Sequence, residues 1–280
     1  MAFKDILLAL TSYPEPTPVS VVGEAVAFTA AVGAKISAIT CEVNIQVPGS
    51  FLADAFMNIP GMIAAESKKS SANAKKLLTA FQDDAKRGGV FQDRILEKCQ
   101  ISEVSNVFVE HARLRDLTIV PAQEGFDQWY AESIIFGSGR PTIVMPHTRK
   151  GSGGLSLNTV VVAWDFSRPA ARAVADALPI LEKAKRVHVV TVKNEKVIDT
   201  RRSGADLAKH LSHHGVKINL EAVDAAGRKI GNVLKSFVTS HKGDLLVMGA
   251  YGHSRVREFI LGGATRNMLS RPPVPILLSH

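Results

Sequence analysis

The sequence predicts an α/β fold built as two tandem, doubly wound parallel-sheet domains packed as a pseudo-dimer. Three observations predict it. Short apolar runs alternate with Ala-rich amphipathic stretches, the same series of runs occurs twice, and a Gly/Ser-rich segment separates the two series. Strands alternating with helices give a parallel sheet covered on both faces. Right-handed crossovers then fix the winding.

The length agrees, since 280 residues is long for one α/β domain and comfortable for two. Ile6–Leu10 opens the first half and Val160–Trp164 the second; each reads as a buried parallel strand. An amphipathic stretch follows each, Val19–Val32 and Pro169–Ala184, then second strands, Lys35–Cys41 and Arg186–Lys193. Late in each half stand Asp116–Val120 and Asp244–Met248, and each half ends on a Pro-flanked run, Pro141–Pro146 and Pro273–Leu278. Thr148–Ser156 is too rich in Gly and Ser to build a core and reads as a linker. The predicted domains are therefore 1–148 and 156–280. In such sheets ligands sit at the carboxyl ends of the strands, at the switch point, which directs attention to the loops after Trp164, Val192 and Met248.

Composition narrows the classes. Hydrophobic residues at 46% and charged residues at 21% fit an ordinary globular protein. Cys41 and Cys99 are far apart in sequence, and no CxxC or Cys/His zinc spacing occurs. No apolar run has the length of a membrane span, and the N-terminus is a poor signal peptide, so the chain reads as cytoplasmic. Residues 1–150 carry 15 Lys+Arg against 16 Asp+Glu, and residues 151–280 carry 19 against 10. The net +8 thus lies in the second half. Such a field favours anionic partners, and a solvated basic surface explains it equally well.

The second half carries a motif. Gly249-Ala-Tyr-Gly252 follows the strand ending at Met248; Gly262 comes after nine intervening residues, followed by Gly263-Ala264-Thr265 at what reads as a helix start. Glycines after a strand let backbone approach a phosphate, and N–H groups at a helix start bind anions. Thr265 adds a hydroxyl, and Asp165 after the first strand can accept from a ribose hydroxyl or an adenine amine. The alternative is that the glycines only make a tight turn and close helix packing.

This arrangement resembles the universal stress proteins, whose ATP-binding members carry G-x-x-G, nine residues, then G-[S/T]. Gly249, Gly252 and Gly262 match with spacing kept, and Asp165 sits where that family places its nucleotide-contacting aspartate. The resemblance implies a tandem member with an adenine nucleotide alpha hydrolase-like fold. It implies Ala163 and Val192 framing adenine, with Met248 and His253 beside the site. Gly249, Gly252, Gly262, Gly263, Ala264 and Thr265 would hold the phosphates of ATP, ADP or AMP, with Mg as a companion ion. A role in stress response follows from the family alone. Gly263 departs from the family's Ser/Thr. One lost hydrogen bond to a charged group costs about 1.5–3 kcal/mol, or roughly tenfold or more in affinity, which Thr265 partly offsets.

The first half looks disabled. Thr11 stands in the place of Asp165, Pro121 replaces Gly249 and offers no N–H, and Glu124 replaces Gly252. Twelve residues separate Glu124 from Gly137. The last strand then arrives early, so the last helix is expected to be short or lost, and Gly137-Ser-Gly139-Arg140 reads as a simple loop in preference to an isolated anion site.

Other features weigh less. His210, His213 and His214 share one helical face at a spacing that can hold a metal, but they precede Gly215, a natural helix stop, and a helix C-terminus favours histidines through its dipole, which is the preferred reading. Tyr251 and His253 flank Gly252; His253 can titrate near neutrality, but nothing in sequence orients it for catalysis. Arg255 and Arg257 read as phosphate partners or surface cover. Met57–Met62, with Phe51 and Phe56, is an apolar insertion before a Lys-rich helix, with no role assigned. No Walker A, GxSxG or HExxH pattern occurs. The reading is therefore an adenine-nucleotide-binding stress protein. The alternatives are a nucleotide-independent protein-interaction module, a weak ATP hydrolase and, less favoured, a nucleic-acid binder; a homo-oligomer is left open.

Overall fold

The computed structural model describes residues 2–45, 59–122, 128–146, 157–194, 203–250, 268–269 and 272–280. In the first half, β1 (Asp5–Leu10), α1 (Val19–Val32), β2 (Lys35–Asn44), α2 (Ile59–Arg87), β3 (Phe91–Gln100), α3 (Val104–Arg113), β4 (Leu117–Pro121), α4 (Gln128–Gly137) and β5 (Thr142–Met145) follow one another. The second half gives β6 (Thr159–Ala163), α5 (Arg168–Leu181), β7 (Arg186–Lys193), α6 (Gly204–Ser212), β8 (Ile218–Asp224), α7 (Ile230–Ser240), β9 (Leu245–Gly249) and β10 (Ile276–Ser279).

Strand order is β3-β2-β1-β4-β5-β10-β9-β6-β7-β8. Each half is a parallel sheet in which the order reverses once, between β1 and β4 and between β6 and β9. The halves meet where β5 and β10 pair antiparallel, Leu277 opposite Ile143. The pseudo-dimer is therefore one continuous ten-stranded sheet joined edge to edge, not two sheets packed face on face. The last strand of each half is the edge left unpaired by its own domain, and joining the two removes both edges at once. The outer edges, β3 and β8, are largely exposed and polar.

Alternation along the strands builds two cores. Ile6, Leu8, Leu10, Ile143, Val160, Val162, Val247 and Leu277 face one side of the sheet. Leu7, Ala9, Val144, Val161, Leu246, Met248, Ile276 and Leu278 face the other. Both cores run through both halves, because a period-2 strand buried on both faces presents apolar groups each way. Lys183 ties the helices across the join: its Nζ donates to the Val32 carbonyl at 2.9 Å, at the end of α1.

The repeat extends to hydrogen-bond detail. Asp116 Oδ2 accepts from the Lys4 and Asp5 N–H groups at 2.8 and 3.1 Å, while its own N–H donates to the Asp5 carbonyl. Asp244 Oδ2 accepts from the Thr159 N–H at 2.9 Å, and its N–H donates to the Thr159 carbonyl. Each aspartate clips the start of its fourth strand to the start of its first. Asp244→Ala is expected to cost about 1–3 kcal/mol, since it strands a half-buried backbone donor. The check is the thermal midpoint beside that of Asp116→Ala, which should fall similarly.

The β4–β5 crossover corrects the sequence expectation. A ten-residue helix is present, placed upstream, and Gly137 is its last residue rather than the start of a loop. The Gly137 carbonyl accepts from Arg113 Nε at 3.0 Å. Gly137–Arg140 is thus a helix C-terminus, whose dipole repels anions.

Candidate functional site

The carboxyl ends of β6 and β9 form the switch point of the second half, and the residues around it are positioned by backbone chemistry. Ala163 ends β6, and its neighbour Trp164 donates its N–H to the Val190 carbonyl at 2.9 Å. The chain then turns sharply. Phe166 takes φ 62°, a left-handed conformation costly for a residue with a Cβ. Asp165 holds that turn, its Oδ1 accepting from the Ser167 N–H at 3.0 Å. Ser167 caps α5 in turn, its Oγ accepting from the Ala170 N–H at 3.2 Å, and Pro169 fits the first turn because no donor is needed there.

Gly249 closes the site from the β9 side. A Cβ there would lie 2.6 Å from Ala170 N and Pro169 C. Backbone packs on backbone, so glycine is required by the approach of the α5 N-terminus. The helix-packing alternative raised by sequence therefore accounts for this glycine. The Ser167, Ala170 and Ala171 N–H groups already have acceptors nearby. This helix start consequently offers little to an anion.

Of the residues singled out by sequence, the structure brings Ala163, Asp165, Met248 and Gly249 to the ends of adjacent strands, with Val192 buried near the end of β7. Tyr251, Gly252, His253, Arg255, Arg257, Gly262, Gly263, Ala264 and Thr265 lie outside the described residues. Sequence reasoning began this helix at Pro169 and missed Ser167 as its cap, although Ser-x-Pro before an apolar-periodic run is itself a helix-start signal.

The equivalent place in the first half is filled by protein. Thr11 Oγ1 and Thr17 Oγ1 lie 3.0 Å apart, and Thr17 Oγ1 also accepts from the Thr11 N–H. Ser12 Oγ binds the Cys41 carbonyl and meets Ser70 Oγ of α2 at 2.9 Å; Ser70 Oγ accepts from the Val43 N–H, and Asn73 donates to the Ser12 carbonyl. The long helix α2 therefore ties the ends of β1 and β2 together through the Ser70 hydroxyl and the Asn73 amide. Of the apolar insertion expected before this helix, Met62 lies inside α2 and is exposed, and Phe51, Phe56 and Met57 lie outside the described residues.

Cys41 and Cys99 prove to be neighbours on β2 and β3, both buried with free thiols. Burial, with Cys99 beside it, pushes the Cys41 thiol well up, leaving it unreactive. His210, His213 and His214 are exposed at the end of α6, with Gly215 at φ 73° just beyond. No helix among the described residues is long and apolar enough to cross a membrane.

Residues 157–280 match the family model described as the universal stress protein family. The match is confined to the second half of the chain. A universal stress protein of Synechocystis sp. is 30% identical over 95 residues, 32% of this chain and 31% of the relative. The chain thus aligns with about a third of the length of that curated relative. Over its whole length the fold is similar to that of a universal stress protein from Archaeoglobus fulgidus, with a TM-score of 0.70 at 14% identity, covering 98% of this chain and 97% of that one. A universal-stress-type protein from Pseudomonas aeruginosa gives a TM-score of 0.59 at 13% identity, covering 99% and 93%. The family model covers the second half, and the fold likeness covers both halves.

Proposed function

We propose that this chain binds one adenine nucleotide in its second half and uses it as a regulatory ligand in a cytoplasmic stress response. The domains are taken as 1–148 and 156–280. One contrast carries the reading: at the two equivalent switch points, the first half is sealed by Thr11, Thr17, Ser12 and Ser70, while the second presents Asp165 on a strained turn beside Gly249. Strain at a non-glycine residue is characteristic of ligand sites. Ala163 and Val192 would flank the base, with Met248 beneath it, and Asp165 would take a ribose hydroxyl. Because the Ser167, Ala170 and Ala171 N–H groups at the start of α5 already have acceptors, the phosphates fall to Gly252, His253 and Gly262–Thr265, with Mg as a companion to ATP. The nine-residue spacing and the family match support this assignment. No group in the described part of the site activates a nucleophile, so ligand binding is favoured over hydrolysis.

The test is to denature purified protein and identify any released small molecule, alongside thermal melts with ATP. ATP, ADP or AMP near one per chain is expected, with a melting shift lost in Gly252→Glu, where a carboxylate meets the phosphates. No nucleotide and no shift at millimolar ATP would leave the nucleotide-independent interaction module as the better reading.

A further inference from the structure

We propose that His188, Glu221 and His241 form a Zn²⁺ site at the opposite end of the second half from the nucleotide crevice. His188 lies early in β7, Glu221 in β8, and His241 caps the C-terminus of α7. One ligand atom from each lies within 4.8 Å of the others. His188 Nδ1 is 2.7 Å from Glu221 Oε1, and His241 Nε2 is 3.3 Å from Glu221 Oε2. A tetrahedral zinc with bonds of about 2.0–2.2 Å sets its ligand atoms roughly 3.3–3.6 Å apart. Side-chain movement of about 1 Å therefore brings all three into range.

The surroundings of His241 set it up as a ligand. Its Nδ1 is 2.9 Å from the Phe237 carbonyl, and a carbonyl only accepts, so Nδ1 carries the proton. In the neutral ring Nε2 then holds the lone pair, aimed at Glu221. A ligating imidazole whose second nitrogen donates to a backbone carbonyl is the usual arrangement at metal centres. The ring is further held by stacking on Phe237, at 3.9 Å between centroids and 20° between planes.

Two imidazoles and a carboxylate are the donor set of open zinc sites and suit neither Mg²⁺ nor Ca²⁺, which want oxygen. The side chains are 13%, 32% and 30% exposed, so a metal can enter and water can complete the coordination. The cluster flanks the amino-terminal side of the sheet, because His241 precedes β9 by only a few residues, whereas Gly249 ends that strand. Nothing in the proposal depends on a bound nucleotide.

The test is a Zn²⁺ titration of the full chain after chelator treatment, repeated with Co²⁺ for its visible spectrum. One Zn²⁺ per chain is expected to bind, with affinity falling more than tenfold in His188→Ala and in His241→Ala. A His213→Ala/His214→Ala variant should keep it. Co²⁺ should give the intense absorption of a four-coordinate site, lost in Glu221→Gln. Glu221→Gln is isosteric and a third exposed, so it carries the test if a histidine variant fails to fold, as metal-free thermal melts would reveal. Unchanged affinity in His188→Ala and His241→Ala, or loss only when His213 and His214 are removed, would overturn the site and leave a hydrogen-bonded His–Glu–His cluster.

Discussion

Gly249→Val is expected to destabilise the second half by about 3 kcal/mol and to disable whatever the crevice binds. A Cβ at this position meets backbone, with Ala170 N and Pro169 C at 2.6 Å and Pro169 Cβ at 2.8 Å. Backbone cannot rotate away as a flexible side chain can, so either β9 or the start of α5 must shift. A shift at α5 disturbs the Asp165–Ser167 turn, because the same two-residue stretch carries the cap. Stability and binding should therefore fall together. Gly23→Ala makes the sign contrast. Gly23 lies inside α1, where an added Cβ meets nothing closer than 3.8 Å, and alanine should stabilise the helix by about 0.5–1 kcal/mol. Denaturant unfolding of the two variants checks both signs.

Leu277→Asp should have the larger effect, more than about 4 kcal/mol, because it buries an unpaired charge in the joint between halves. Leu277 is fully buried, sits in β10 between Ile143 of β5 and Val247 of β9, and belongs to the core shared by both halves. Even Leu277→Ala should cost about 2–5 kcal/mol. The chain has two tryptophans, Trp129 in the first half and Trp164 in the second. With Trp129→Phe and Trp164→Phe as reporters, the two halves of the otherwise unaltered chain should unfold in coincident transitions. Leu277→Ala should move both to lower denaturant. A shift confined to the second half would mean that the β5–β10 joint does not couple the domains.

The central strands and their helices were legible in sequence because burial on both faces leaves unbroken apolar runs. Val19–Val32 and Arg186–Lys193 have the same bounds in sequence and structure. The edge strands β3 and β8 were not read. Exposed residues such as Gln92, Asp93, Arg94 and Asn219 interrupt their pattern, and only pairing to β2 and β7 makes them strands. The helix α4 was displaced because the alignment on Gly137 assumed that a glycine marks the same point in both halves. Gly137 ends a helix, whereas the sequence reading expects Gly262 to precede one. The edge-to-edge join left no sequence signal, since Thr142–Met145 and Ile276–Ser279 read alike whichever neighbour they take.

The candidate site divides the same way. Asp165 and the glycine spacing were visible and Ser167's local cap was readable, whereas the packing demand on Gly249 and the contacts of Ser70 and Asn73 with Ser12 depend on tertiary approach. His188, Glu221 and His241 are spread over two strands and a helix end, and only the β7–β8 register and the return of α7 collect them.

The most direct measurement of the central claim is a calorimetric titration of ATP into the wild-type chain and into Asp165→Ala. One nucleotide per chain, weakened at least tenfold by Asp165→Ala, is the predicted result. Two sites per chain, none at millimolar ATP, or an affinity indifferent to Asp165 would contradict the assignment of the second-half crevice as the nucleotide site.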